Sequence, residues 1–429
     1  MNLIRKNLNY DLIQLYLICL IPFGLVFGRF FADFFLVIVC LIFIIKELKK
    51  NISLYLSDQF LKFLIVFWII ISLRSLFSED ILFSLKSSFF YIRFLIFALA
   101  VKVLFNKDNK YLLYFFYSIS VCLLIVIFDG FVQFYLKKNI LGYPAMLFEG
   151  GYRLSGFFKD EYIIGSFVSR ILPFYLGIYM YCKHLKAIQN LDNYVFLLLI
   201  LGSLLVVLSG ERVAIFYVSL SILFGIILIN FFDYKFYTKL LAISLIFFSL
   251  IAFHDGVRDR VIKKTLGQIG IINTQAERTN NDEFYIYSIH HHNHILAATK
   301  IFKENIFFGS GVKMFRKVCD KRYKENIFTC TTHPHNTIMQ FLSETGLVGT
   351  FFYLISLWYV FRYFSLNISS IIKNTSNNLN KSRIFYLLAI LISLMPLLPA
   401  GNFFNNWISI VTYLPVGFYL LSIKKNNEY

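Results

Sequence analysis

Long apolar runs separated by short polar breaks make up most of this chain. A helix needs about 20 predominantly apolar residues to cross the hydrocarbon core of a bilayer. Twelve runs approach that length: 12–28, 30–45, 60–77, 88–105, 111–128, 162–182, 194–209, 213–230, 239–253, 334–361, 384–400 and 407–423. The second is short, and only Ser209-Gly210-Glu211-Arg212 separates the seventh from the eighth. The pattern predicts an all-α integral membrane protein with about 12 transmembrane helices. It also divides the chain. An N-terminal five-span bundle covers 1–128, and spans six to nine cover 129–253 with an outer loop at 129–161. One large loop covers 254–333, and C-terminal spans ten to twelve cover 334–429.

Hydrophobic residues make up 58% of the chain and charged residues 15%, which excludes both a water-soluble globule and a disordered chain. The formal net charge of +18 is not gathered into a long basic block, so no nucleic-acid partner is implied. The placement of Lys and Arg follows the positive-inside rule instead. One set of short loops carries Lys46, Lys107, Lys110, Lys183, Lys186, Lys381 and Arg383; the other carries little beyond Arg29, Arg74, Lys86 and Arg212. Both termini are then cytoplasmic, and the loops 129–161 and 254–333 face outward. Phe27-Gly28-Arg29-Phe30-Phe31-Ala32-Asp33 is no cleavage site, so the first run is expected to stay as a span. Arg93 and Arg170 are the main charges inside spans. A transporter is expected to place ionisable groups at mid-membrane, so the chemistry is expected at the outer face.

Of the six cysteines, Cys19, Cys40, Cys122 and Cys182 lie in or beside spans and read as apolar packing residues. Cys319 and Cys330 lie in the large loop. In an oxidising compartment they read as a disulfide that closes a short loop and fixes the entry to His333. Two free thiols, or zinc ligands together with His333 and His335, are the alternatives.

The strongest local signal is Thr332-His333-Pro334-His335-Asn336. Pro334 suits the first turn of a helix, which would put His335 and Asn336 in the first turn of the tenth span. Free amides and the helix dipole there favour an anion and lower the pKa of a nearby imidazole. A neutral imidazole is what a general base requires. The alternative is that both residues only cap the helix. Gly346 and Gly349 offer a small-residue patch to a neighbouring helix. Glu344 falls on a different side of a regular helix from His335 and is not expected to orient the ring. Arg153, in Gly151-Tyr152-Arg153-Leu154-Ser155-Gly156, can grip a phosphate with its guanidinium fork or anchor the chain at the interface. Arg212 can be a second phosphate clamp or the partner of Glu211. His290-His291-His292-Asn293-His294 can bind metal, but no carboxylate stands at a convincing offset, although Asp282 and Glu283 are near. A helix start is the preferred reading, because Ile295 to Phe307 continues as an amphipathic helix that ends at Gly309-Ser310-Gly311. That glycine turn is no nucleotide loop, since no strand precedes it and Lys313 lacks a Ser/Thr partner.

Four segments in order carry a resemblance: Arg153-Leu154-Ser155-Gly156-Phe157-Phe158; Ser209-Gly210-Glu211-Arg212; Asn305-Ile306-Phe307-Phe308-Gly309-Ser310-Gly311 with Phe315-Arg316; and Cys330-Thr331-Thr332-His333-Pro334-His335-Asn336. Nine residues separate Asn336 from Gly346, and Gly349 follows. Together they resemble the O-antigen ligase and polymerase superfamily of bacterial envelope glycan assembly, from the fifth span to the C-terminus. The resemblance implies a GT-C-type glycosyltransferase of the bacterial inner membrane with one large, partly helical periplasmic loop. It implies a saccharide donor on undecaprenyl pyrophosphate. The acceptor is lipid A-core for a ligase or the next repeat unit for a polymerase, and no metal or other cofactor is needed. On the matching positions, His335 is the catalytic base, and Arg153 and Arg212 bind the pyrophosphate. Asn336, His333, His291, His294 and Glu344 support them. His291 stands where many relatives carry an arginine, with His292 and His294 beside it. A ligase is the preferred reading. A repeat-unit polymerase and, from another class, a lipid-linked oligosaccharide flippase are the alternatives.

Overall fold

The structure is a computed structural model that describes residues 9–48, 59–148, 151–229, 234–268, 288–324, 329–372 and 377–424. Asp282 and Glu283 lie outside the described residues. Each expected apolar run overlaps a helix, although the run 384–400 leaves its helix after Ser393. The N-terminal part contains α1 (Tyr10–Phe27), α2 (Arg29–Phe43), α3 (Gln59–Ser75), α4 (Ile81–Phe89), α5 (Ile92–Lys107) and α6 (Asn109–Leu136). There follow α7 (Ile164–His184), α8 (Asp192–Leu208), α9 (Arg212–Ile229) and α10 (Tyr234–Phe253). The large loop contributes α11 (Ile289–Glu304) and α12 (Phe315–Arg322), and the chain closes with α13 (Thr337–Ile372), α14 (Asn378–Ser393) and α15 (Asn406–Lys424). Among the described residues, five helices are long and apolar enough to cross a membrane: Tyr10–Phe27, Ile81–Lys107 (α4 with α5), Asn109–Leu136, Thr337–Ser370 and Asn406–Ile423. Shorter apolar helices cover Asp192–Leu208, Arg212–Gly225 and Ser244–Phe253. The chain is a helical membrane protein.

Polar residues open several of these helices. Asp80 accepts from the Phe83 amide at 3.0 Å, Asp108 from Lys110 at 2.8 Å and Asn377 from Asn380 at 2.9 Å. Each satisfies an amide that a helix start leaves open. Between helices in lipid, shape fit and polar bonds replace the usual hydrophobic driving force. Aromatic rings supply much of that fit. Phe115 of α6, Phe174 of α7, Tyr386 of α14 and Phe418 of α15 meet with centroids 5.2–6.1 Å apart. The two charges expected inside spans are taken up locally. Arg93 pairs with Asp33 at 2.9 Å; Arg170 donates to the Ser166 carbonyl at 3.1 Å and lies over the Tyr217 ring.

One small feature departs from the all-α expectation. Two short strands, β1 (Met146–Phe148) and β2 (Gly151–Arg153), pair antiparallel with Met146 opposite Arg153. Strands of three residues are too short to leave a readable period-two pattern.

The large loop is fastened onto one end of the bundle. Its helices have their own small core of Ala297, Ala298, Ile301, Met314, Phe315, Val318 and Cys319. The Cys319–Cys330 disulfide is present, with Cα atoms 5.6 Å apart, so the segment leading to His333 is tied to α12. Lys317 pairs with Asp80, Lys321 with Glu79, and Arg322 with both Glu79 and Glu304. Arg74 donates to the Gly309 carbonyl at 2.9 Å.

The two glycine motifs meet each other. Gly346 has φ +64° and ψ −164°, which breaks α13. The freed backbone is satisfied by the loop: Ser310 and Gly311 amides donate to the Ser343 and Glu344 carbonyls, and the Leu347 and Val348 amides donate to the Ile306 and Phe307 carbonyls. Broken helices are tolerated at membrane depth when other protein groups satisfy the freed backbone in this way. A Cβ on Gly346 would stand 2.4 Å from the Phe307 carbonyl, and one on Gly309 2.4 Å from Glu344 backbone. Gly346 therefore admits an irregular loop, where the sequence suggested a neighbouring helix. Gly346→Ala is expected to destabilise by about 1–3 kcal/mol through backbone conformation alone, with the clash adding to it. A lower midpoint in thermal unfolding and faster proteolysis near Phe307 would report it.

Candidate active site

Glu211 organises one half of the site from the turn between α8 and α9. Its buried carboxylate accepts from the Gly165 amide at 2.6 Å, the Ser166 amide at 3.2 Å and the Ser166 hydroxyl at 2.7 Å, capping α7. Burial raises its pKa; the Ser166 bond and the charge of Arg153 oppose the rise. Three arginines surround this turn. Arg153, on β2, donates from Nη2 to the Tyr162 carbonyl at 3.0 Å, and its buried Nε has no hydrogen-bond partner among the described residues. Arg212 opens α9 and donates to Thr265 Oγ1 at 3.2 Å. Arg260 is buried and donates from Nε to the Gly210 carbonyl at 2.6 Å. Burial, then the charges of Arg153 and Arg212, push the Arg260 guanidinium down to about 10. Three cations around one carboxylate leave surplus positive charge in a partly desolvated place, which suits a multiply charged anion.

Sequence reasoning paired Arg153 with Arg212 but did not single out Arg260. It stands in Asp255-Gly256-Val257-Arg258-Asp259-Arg260, where it reads as one loop charge among several. The only available signal was its closeness in sequence to the end of α10.

The histidines form the other half. His335 has a left-handed backbone with φ +54°, and its carbonyl accepts from the Ala400 amide at 2.9 Å. Asn336 is the cap of α13: its Oδ1 accepts from the Met339 amide at 3.0 Å and its carbonyl from Gln340 at 2.9 Å. The expected placement is thus corrected. His335 and Asn336 precede the first turn, and Pro334 lies outside the helix. An asparagine side chain satisfies a helix-start amide, and a residue at positive φ cannot continue a right-handed helix.

The His335 ring is enclosed by three others. Centroids lie 4.1 Å away at His333, 5.3 Å at His294 and 5.5 Å at His291. His333 Nε2 lies 3.1 Å from the Ala400 carbonyl and Nδ1 2.9 Å from Thr332 Oγ1. A carbonyl only accepts, so Nε2 carries the proton and Nδ1 accepts from the threonine. Burial is the main cause that lowers the pKa of His335 to about 2, with the other three imidazoles acting in the same direction. Burial likewise lowers His333 and His291 to about 4. All three rings are neutral at physiological pH. His291 stacks on His335 and lies within electrostatic reach of Arg212.

Glu344 braces the broken helix. Its carboxylate accepts from Gln340 Nε2 at 3.0 Å; Gln340 also bonds to Asn402 Oδ1 at 3.0 Å and to the Phe403 amide at 2.9 Å. Among the described residues, no group of three or more His, Cys, Asp or Glu is arranged to hold a metal ion.

Residues 197–354 match the family model described as O-Antigen ligase. No curated protein matches the chain. The matched segment carries Arg212, Arg260, the histidine cluster and the break in α13 at Gly346, while Arg153 precedes it. The match spans less than half of the chain and supports its likeness to the O-antigen ligase superfamily.

Proposed function

We propose that this protein moves a saccharide from undecaprenyl pyrophosphate to an acceptor hydroxyl, as an O-antigen ligase acting on lipid A-core. It lies in the bacterial inner membrane as a GT-C-type bundle of about 12 spans. Both termini are cytoplasmic and the site is periplasmic. One arrangement supports the reading: the His335 ring packs against His291, His294 and His333, and His291 lies within electrostatic reach of Arg212 in the arginine cluster.

The acceptor hydroxyl has a pKa far above 7 and needs a base as it attacks. His335 takes the proton while the acceptor oxygen bonds to the anomeric carbon. The bond from that carbon to the pyrophosphate oxygen breaks, and the electron pair leaves on the lipid pyrophosphate. Arg153, Arg212 and Arg260 stabilise the growing charge on that oxygen. The imidazolium then returns its proton to water. A single in-line displacement inverts the anomeric centre.

An apolar groove of about 430 Å³ supports a lipid-borne donor. Leu220, Phe224, Leu357, Trp358, Met395 and Pro396 are among its lining residues. The Pro396 carbonyl accepts from Asn336 Nδ2 at 3.2 Å, so the groove ends beside the histidines and can seat a prenyl chain. A flippase is disfavoured because the interior charges Arg93 and Arg170 already have local partners.

The pH profile follows from the imidazoles. A lowered pKa keeps the base neutral, so kcat/KM for the donor should hold down to pH 5, without a limb near 6.5. A bound pyrophosphate puts negative charge near the rings and raises their pKa, so the acid limb of kcat should lie at higher pH than that of kcat/KM. A kcat/KM limb at 6–7 would remove the neutral-base assignment.

A deletion strain separates the acceptors. Loss of a ligase accumulates lipid-linked polymer, whereas loss of a polymerase leaves single repeats on the core. An unchanged glycan profile would reject both.

A further inference from the structure

The basic residues of α12 fall into two groups. Lys317, Lys321 and Arg322 are ion-paired with Asp80, Glu79 and Glu304 and fasten the loop. Arg316, on the same helix, makes no ion pair among the described residues. Its guanidinium lies over the Phe83 ring at 5.8 Å, and its buried Nε has no hydrogen-bond partner. A buried guanidinium nitrogen without an acceptor costs free energy unless a ligand supplies one.

The surroundings do not neutralise it. Lys313 lies within electrostatic reach of Arg316, Arg93, Asp33 and Glu344. Asp33 is taken by Arg93 at 2.9 Å, and Glu344 is the carboxylate left facing Lys313. Arg316 is then the uncompensated cation of this group.

Its position relative to the histidines gives the excess a direction. Arg212 lies within electrostatic reach of His291, whereas Arg316 sits on α12, which the Cys319–Cys330 disulfide ties to the segment entering His333. The two rings lie 5.5 and 4.1 Å from the His335 ring. Two cationic places therefore approach the base through different imidazoles. An in-line displacement needs the leaving group and the nucleophile on opposite sides of the reacting carbon. With the arginines around Glu211 assigned to the leaving pyrophosphate, the second place falls to the nucleophile.

We infer that Arg316, with Lys313 beside it, binds an anionic group, a phosphate or a carboxylate, carried by the acceptor glycolipid near the hydroxyl that reacts. The assignment to the acceptor rests on the transferase reading; the existence of a second anion site does not.

Binding to the full-length protein in nanodiscs tests it without requiring turnover. The probes are undecaprenyl pyrophosphate, a lipid A-core preparation, its dephosphorylated form and its carboxyl-reduced form. Arg316→Gln should weaken lipid A-core about tenfold, the value of one charge-assisted hydrogen bond, and leave undecaprenyl pyrophosphate unchanged. Arg212→Gln should do the reverse. Removing the group that Arg316 holds should weaken wild-type binding by the same factor and leave Arg316→Gln unaffected. Arg316→Lys should recover part of the loss. The inference is overturned if Arg316→Gln binds lipid A-core as tightly as wild type, or if neither treatment weakens the wild type. It is also overturned if Arg316→Gln loses both lipids and Arg316→Lys restores neither. Should the crossed pattern appear while no saccharide is transferred, the anion site stands and the transferase reading fails.

Discussion

His335→Ala is expected to abolish glycan transfer while the protein still inserts and keeps its Cys319–Cys330 disulfide. A positioned general base contributes about 10²–10⁴-fold to rate, and no other neutral ring occupies the centre of the cluster. His333 is committed to the Ala400 carbonyl and Thr332. His291 lies within electrostatic reach of Arg212, which disfavours the charge a base must take on. The backbone at position 335 has φ +54°, so alanine adds conformational strain to the loss of the ring. His335→Asn separates the two effects, because asparagine tolerates left-handed backbone. Both variants should be inactive in proteoliposomes with supplied donor and acceptor, and His335→Asn should unfold at the wild-type temperature. An asparagine variant that keeps a tenth or more of wild-type rate would remove His335 as the base.

The second large effect is at the arginines. Arg212→Gln and Arg260→Gln should each lower kcat by about 10²–10³-fold, the range for removing one preorganised donor from a developing oxyanion. They share one ligand, so the double variant should lose less than the product of the single losses. Arg212→Lys keeps the charge but not the fork, and should recover only part of the rate. Arg260 also holds the Gly210 carbonyl at 2.6 Å, so its variant needs a check on folding. Steady-state transfer together with thermal unfolding of each variant measures both. Full multiplicativity, with kcat unchanged in either single variant, would argue against a shared pyrophosphate.

How far the sequence anticipated this arrangement depended on the kind of information each residue carries. Hydrophobic runs dictate helices, so each expected span overlaps one, though the run 384–400 is helical only as far as Ser393. The number of membrane crossings is a further step, since among the described residues length and composition alone mark five helices as sufficient. The pairing of Cys319 with Cys330 followed from their isolation in a polar loop. The break at Gly346 did not, because a glycine in an apolar run is compatible with a continuous helix. Only the backbone of 306–311, distant in sequence, forces it open. Arg260 was illegible for the same reason: its importance comes from Gly210, Arg153 and Arg212, fixed by tertiary packing. Of the histidines in the run beginning at His290, His291 and His294 stack on His335; spacing alone cannot separate such packing from a metal site.

A structure of the protein with a non-hydrolysable undecaprenyl-pyrophosphate sugar analogue tests the central claim most directly. The account predicts the diphosphate within hydrogen-bond distance of Arg153, Arg212 and Arg260. The anomeric carbon should face His335, and the prenyl chain should lie along Trp358 and Met395. A diphosphate bound at another end of the bundle, or one that leaves these three side chains without contact, would contradict it.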